Sequence, residues 1–422
     1  MASDSIVATY WIETPIALEK AAEIIAGEQS SGTFVSVPGE TSELRLRHRA
    51  QVVEIEPMEG VDQPSLPGCT AADASKDRTF QRARIRVAFP MENMGCNLPV
   101  LMSTVCGNLY ELSQLSGIRL MDIELPEIFA DRYPGPQFGI EGTRRLCGVW
   151  DRPLIGTIIK PSVGLTPQQT AVMVRELLEG GIDFIKDDEL MANPPHSPLK
   201  MRVNCVMQEV RRHADATGRQ AMVAFNITDE LDAMKEHHDH VLQAGGTCVM
   251  ASINQVGLTG MSALRKHCQL PIHGHRNGWG MLTRFPGLGI EFRAYQKIWR
   301  AIGIDHLHIN GIQNKFWESD DSVMRSLEAL REPLWSGYDV LPVISSGQWG
   351  GQAPETWRRG KTKDLLYLAG GGIMAHPAGI AGGVRAIRQA WDAACQGISL
   401  EDYARQHHEL RQSLDTFGKG RA

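Results

Sequence analysis

The sequence predicts an α/β protein: a small N-terminal α+β domain over residues 1–145, then a C-terminal TIM (β/α)8 barrel over residues 146–422. Three observations carry this expectation. After Arg152, short apolar runs alternate with amphipathic segments eight times. Before it, that alternation is missing. Polar residues also recur at the C-terminal ends of the apolar runs, the face on which barrel enzymes keep their chemistry. With 422 residues, 42% of them hydrophobic, the chain is long for one ordinary domain and can bury a large core.

In the first domain, Ile16, Ala17, Ala21, Ile24 and Ile25 recur at helical spacing and predict a helix over residues 15–26. Strand-like runs at 48–55, 83–89 and 99–106 predict an antiparallel sheet, and residues 62–77, rich in Pro, Ser, Asp and Gly, a loop. In the second, the predicted strands are IGTIIK (155–160), DFIKDDE (183–189), AMVAFNI (221–227), CVMASIN (248–254), PIHGHR (271–276), HLHIN (306–310), PVISSG (342–347) and LLYLAGGG (365–372). Segments such as TPQQTAVMVRELLEGG (166–181) supply the helices. A doubly wound sheet is the competing arrangement, and eight uninterrupted units favour closure.

A net charge of −6 is mild for this length, and no basic stripe points to nucleic acid. Eight scattered cysteines without a CxxC pair read as reduced thiols. The N-terminus lacks a secretory pattern, and no run of about 18 apolar residues points to a membrane span. A soluble cytoplasmic protein is expected.

The strand ends hold Lys160; Lys186, Asp188 and Glu189; His275 and Arg276; His308; Ser346; and Gly370 to Gly372. The run Lys186-Asp187-Asp188-Glu189 is the most informative. Carboxylate oxygens suit Mg2+. A lysine among them is either a salt-bridge partner or, once its amine has added CO2, a carbamate offering two more oxygens. Gly370, Gly371 and Gly372 read as a phosphate cradle or as a tight turn. Arg276 and His308 are candidates for a second anion, and His275 for a base or a hydroxyl partner. His273 and His306 read as satisfied core histidines, and His237, His238 and His240 as a solvated helix face.

GTIIKPSVGLTP (156–167), GGIDFIKDDE (180–189), HGHR (273–276), DHLHING (305–311), ISSG (344–347) and LAGGGIMAHPAG (368–379) resemble, in order, the large subunit of ribulose bisphosphate carboxylase. AGEQSSGTF (26–34) and STVCGN (103–108) extend the resemblance into the first domain. It implies a ferredoxin-like N-terminal domain and a homodimer with shared active sites, itself a unit for higher assembly. It makes Lys186 the carbamylated lysine, with Asp188 and Glu189 as the other Mg2+ ligands and Asp187 outside the set. It makes Lys160 the catalytic lysine of the first strand, Asn108 a residue reaching the partner's site, and Lys315 the lysine of the mobile loop. Thr33, Gly370 and Gly371 resemble one phosphate site; Arg276, His308 and Ser346 resemble the other.

The departures are equally informative. Ser162 stands where the carboxylases have a second lysine. A neighbouring cation favours a neutral amine, so without it Lys160 is expected to keep its proton and serve poorly as a base. Asn314 replaces a lid glycine, Phe34 a tryptophan, Gln348 a glycine and Trp279 a histidine, changes expected to reshape the pocket and lid. The chain therefore resembles the RuBisCO-like members, not the CO2-fixing ones. The expected reaction is Mg2+-dependent decarboxylation, or related C–C cleavage, of a phosphorylated 3-oxo sugar acid, with 3-oxo-isoapionate 4-phosphate as the candidate. The alternatives are an enolase or isomerase acting on a ketose phosphate of methionine salvage, and a noncatalytic ligand-binding protein. Restoring the lysine with Ser162→Lys is expected to leave CO2 fixation on ribulose bisphosphate undetectable in a labelled-CO2 assay. Any incorporation would show that the lid is not the obstacle.

Overall fold

The computed structural model describes residues 5–32, 37–69 and 79–418. It divides into two compact units: Met1–Pro134 with Gly278–Ala301, and Gly135–Asn277 with Ile302–Ala422.

The first unit is built on a five-stranded sheet of β1 (Ser5–Thr14), β2 (Gln51–Val61), β3 (Phe80–Pro90), β4 (Gly117–Glu124) and β10 (Leu288–Ile290), in the order β10-β4-β1-β3-β2. β1 pairs antiparallel with both β3 and β4, and β2 with β3. Ile6, Ala8, Tyr10 and Ile12 alternate along β1 and are fully buried, the period of two expected of a strand with one face on a core. The sheet is mixed, not purely antiparallel, because β10 pairs parallel to β4 and comes from a segment far along the chain.

The helix predicted over 15–26 forms as Leu18–Glu28. The strand expected at 48–55 starts at Gln51, because His48 closes a short helix, Ser42–His48, capped by the Thr41 side chain. The run at 99–106 is not a strand but the helix Leu98–Cys106. Asn97 accepts the backbone N–H of Val100 at 3.2 Å and Pro99 occupies the first turn, start signals that outweigh the β-like composition. The loop expected at 62–77 lies outside the described residues from position 70 onward.

The second unit is a closed parallel barrel of eight strands. They are β5 (Leu154–Ile158), β6 (Phe184–Lys186), β7 (Met222–Asn226), β8 (Cys248–Ser252), β9 (Ile272–His275), β11 (His306–Asn310), β12 (Leu341–Ser345) and β13 (Leu366–Leu368). Pairing of β11 with β9 completes the ring. Met222 and Ala224, Cys248 and Met250, Leu341 and Val343, and Leu366 and Leu368 share one apolar cluster. Each pair is two residues apart, so alternate side chains fill the barrel. Ile140 and Cys147 of the helix Gly139–Cys147 pack against the same cluster. That helix is tied to the N-terminal end of the barrel: Arg144 donates to Val149 O at 2.8 Å and to Asp364 Oδ1 at 2.8 Å, just before β5 and β13.

Asp305 fixes this floor. Its carboxylate accepts the N–H groups of Phe138 (2.6 Å), Gly139 (3.0 Å) and Ile272 (2.8 Å), and pairs with Arg265 Nη1 at 3.0 Å. Both charges are buried, so removing one strands the other. Among the described residues no helix is long and apolar enough to cross a membrane. Asp305→Ala is expected to cost about 3–5 kcal/mol, read as a lower urea midpoint at unchanged slope. A midpoint like that of the parent would remove Asp305 as the anchor of the floor.

Candidate active site at the barrel rim

The alternation that fills the barrel also delivers its most unusual side chain. Phe184 points inward on β6, so Lys186, two residues on, points inward one layer closer to the C-terminal rim. Its side chain is fully buried; Nζ donates to Asp187 O at 2.8 Å and lies 3.9 Å from Glu189 Oε2. Burial pulls the amine down to about 8, against the attraction of Glu189, Asp188 and Asp187 and with help from the Lys160 charge.

The three following carboxylates have separate fates. Asp187 accepts Arg202 Nη2 at 3.1 Å and the Asn226 N–H at 3.0 Å, all of them buried, and so belongs to the scaffold. Asp188 accepts Lys160 Nζ at 2.6 Å through Oδ2 and the Leu190 N–H at 3.1 Å through Oδ1. Burial pushes its carboxyl up, but Lys160 and the Leu190 N–H hold it below the usual range. Glu189 is partly exposed and faces His275 Nε2 at 3.6 Å. His275 Nδ1 faces Asn277 alone, 3.2 Å from its side-chain oxygen and 3.3 Å from its backbone N–H, so the tautomer decides whether it donates to the first or accepts from the second. Burial, then the Lys186 charge, draws this ring down to about 4 against Glu189, so it is neutral at pH 7.

Lys160 lies just beyond β5 and also donates to Ser162 Oγ at 2.8 Å. A Cβ on Gly370 would touch its Cε at 3.8 Å, which puts the glycine run beside it. Gly371 opens onto free space, while a Cβ on Gly372 would strike Trp349 Cβ at 2.7 Å. Arg276 is buried and reaches Glu318 Oε2 at 3.4 Å; the same oxygen accepts Asn310 Nδ2 at 2.6 Å. His308 is inside the barrel, with Nδ1 3.1 Å from Ser345 Oγ. Ser346 turns away in the left-handed region, φ 77°, and donates to Asn310 Oδ1 at 2.7 Å.

Ser345, Asn310 and Glu318 were not among the residues singled out from sequence. Serine next to serine hides which one meets the histidine, and Glu318 reads as one more loop charge. Asn108 is exposed in the first unit, at the start of the turn Asn108–Glu111. Thr33 and Phe34 lie outside the described residues. Trp279 packs at 4.5 Å on Tyr295 within the first unit.

Lys315 is exposed, its Nζ 5.2 Å from the Phe316 ring. The loop that carries it is braced by two amides. Asn314 donates to Gly311 O and Glu318 O, both at 3.0 Å, and accepts the Phe316 N–H at 2.8 Å. Gln348 donates to Ile312 O at 3.1 Å and packs so closely that a Cβ on Gly311 would lie 2.2 Å from its amide carbon.

The helical histidines are not a solvated face, because His237 and His238 are buried. His238, Asp239 and His267 bring ligand atoms within 4.8 Å of one another, yet they do not suit a metal. His238 Nε2 accepts the Gln269 N–H at 3.1 Å, so Nδ1 must hold the ring proton and donate it to Asp239 at 2.9 Å. The rim cluster fits better. Asp188 and Glu189 offer the hard oxygens that Mg2+ takes, and a buried amine held near 8 is a suitable acceptor of CO2.

Fold and rim together give a closed eight-stranded parallel barrel with a buried lysine and its carboxylates at the C-terminal end of the second strand. The ribulose bisphosphate carboxylase large chain matches with its catalytic domain over residues 139–417 and its N-terminal domain over residues 1–129. The chain belongs to this family. It is 50% identical to a Rhizobium etli protein named 3-oxo-isoapionate-4-phosphate decarboxylase, covering 99% of each. It is 51% identical to a Xanthobacter autotrophicus 3-oxo-isoapionate-4-phosphate transcarboxylase/hydrolase, covering 98% of this chain and 99% of that one. A crystal structure of a RuBisCO-like protein from Burkholderia fungorum superposes with a TM-score of 0.92 at 47% identity, covering 98% of this chain and 100% of the other.

Only the neutral amine attacks CO2, forming the N–C bond and releasing one proton. Carbamate on Lys186 should therefore rise as pH rises through about 8, observed as a 13C signal under labelled CO2 and absent in Lys186→Arg. A signal independent of pH, or one that persists in Lys186→Arg, would move the carbamate elsewhere.

Proposed function

We propose that the protein decarboxylates a phosphorylated 3-oxo sugar acid, 3-oxo-isoapionate 4-phosphate being the candidate, and does not fix CO2. The observation that carries this is Lys160. Its Nζ is held between two acceptors, Asp188 Oδ2 and Ser162 Oγ, an environment that suits an ammonium donor and not a base. A 3-oxo acid needs no base at carbon. Its C–C bond breaks, the electron pair moves into the ketone as an enolate, and CO2 leaves. The enolate carbon then takes a proton from Lys160 Nζ. The full-length relative named for this decarboxylation, half identical to this chain, supports the choice of substrate.

In this reading Lys186, carrying CO2 as carbamate, Asp188 and Glu189 hold Mg2+. When bound, Mg2+ supplies a Lewis acid that stabilises enolate charge. His275, 3.6 Å from Glu189 through Nε2, would orient that carboxylate when its proton sits on Nε2. Arg276, His308 and the serines ending β12 take the phosphate, which must draw Arg276 from Glu318. Gly370, Gly371 and Thr33 offer a second anion site, and Lys315 a contact to the departing carboxylate. Asn108 acts on the active site of the partner in a homodimer. Eight scattered cysteines without a CxxC pair support a cytoplasmic setting.

The transcarboxylase/hydrolase relative supports a second reading, in which the carboxyl group is transferred and hydrolysed. A substrate labelled with 13C in its carboxyl group separates the two. CO2 as the first labelled product, dependent on Mg2+ and lost in Lys186→Ala, is expected. Bicarbonate appearing first would favour transfer, and deuterium uptake without loss of carboxyl would favour the isomerase.

A further inference from the structure

Two core histidines that this chemistry does not use form one hydrogen-bonded chain with His308. Thr143 Oγ1 lies 2.8 Å from His306 Nε2, and His306 Nδ1 lies 3.2 Å from His273 Nδ1. His273 Nε2 lies 2.6 Å from His308 Nε2, and His308 Nδ1 lies 3.1 Å from Ser345 Oγ. The chain runs from the floor helix to the rim inside the barrel, with the Phe184 ring tilted against His273 at 5.1 Å and edge-on to His306 at 5.7 Å. His273 and His306 are fully buried and His308 nearly so. Burial draws all three rings below their usual range, His306 to about 3, so each is neutral with one N–H and one lone pair.

At every link an N–H must face a lone pair, so fixing one ring fixes all three. Two arrangements satisfy every link. In the first, Thr143 donates to Gly139 O, the protons lie on His306 Nε2, His273 Nδ1 and His308 Nε2, and Ser345 donates to His308 Nδ1. In the second, Thr143 donates to His306 Nε2, the protons lie on His306 Nδ1, His273 Nε2 and His308 Nδ1, and Ser345 is released to donate elsewhere, as to Ile309 O at 3.3 Å. Each imidazole and each hydroxyl keeps one proton, so proton number and charge are the same in both.

The two ends differ in what they show an anion. In the first arrangement the only proton between His308 and Ser345 is held inside that pair. In the second, either the His308 Nδ1–H or the freed Ser345 hydroxyl can meet an anionic oxygen, which has only lone pairs to offer. We propose that an anion in the phosphate site switches the chain to the second arrangement, making Thr143, His306 and His273 positioning residues for phosphate binding. This rests on the reading of Arg276, His308 and the end of β12 as a phosphate site.

The test uses the full chain labelled with 15N-histidine and titrated with inorganic phosphate, with two-bond correlations reporting which ring nitrogen carries the proton. Expected is a joint swap of His308, His273 and His306. Thr143→Val removes the partner of His306 Nε2 from both arrangements, stranding an N–H in the first and a lone pair in the second. It should therefore shift the resting tautomers of all three rings together and change phosphate affinity by up to about tenfold, the worth of one net hydrogen bond. Thr143→Ser should restore both. In turnover, KM for the phosphorylated substrate should change in Thr143→Val while kcat holds, and tautomers like those of the parent protein in Thr143→Val would overturn the relay. Phosphate binding that is lost in Arg276→Gln, without any change of tautomer, overturns the relay and leaves the phosphate site standing. Phosphate that neither perturbs His308 nor responds to Arg276→Gln overturns both. If Thr143→Val does not fold, the tautomers of the parent protein decide the matter.

Discussion

A lysine amine deprived of water is the constraint around which the barrel is arranged. Charge is costly where Lys186 sits, and the amine can shed it in two ways: by losing its proton or by becoming an anion that a cation then neutralises. Each neighbour serves that choice. Arg202 takes Asp187 out of the cluster, leaving Asp188 and Glu189 as the carboxylates on the rim side of Lys186. Lys160 occupies Asp188 from the rim, and the neutral His275 adds no positive charge beside the amine. Exchanging any one of these for a like charge would alter the balance that holds Lys186 near 8.

The Arg276 end of the barrel shows the same economy of charge. Arg276 is buried against Glu318, so its charge is met by an internal carboxylate. In the proposed reading, an incoming phosphate would have to compete with that carboxylate, and the exchange would reduce its binding energy.

Much of this was legible in the chain. Strands buried on both sides read as continuous apolar runs, so all eight barrel strands stood out, as did the polar residues that end five of them and the glycines that end the last. KDDE announced itself because lysine among carboxylates has few reasons to exist. The first unit was harder. Leu98 to Cys106 has a strand-like composition, and only Asn97 and Pro99 mark it as a helix. β10 joins its sheet from beyond residue 277, a pairing that no local pattern encodes. His273, His306 and His308 were each readable as core residues. Their linkage was not, because it depends on which strands close the barrel.

Asn314 carries a consequence for how the reaction meets solvent. Its one side chain makes three hydrogen bonds across its own loop, so residues 311–318 keep their shape as one unit. A carboxylase must shield its carbanion from water until CO2 arrives, since a stray proton ends the cycle. A decarboxylase creates the same kind of carbanion and then wants that proton. A loop that let water through would be ruinous to the first task and harmless to the second. Bracing by Asn314 is therefore a change that a reaction ending in release can tolerate.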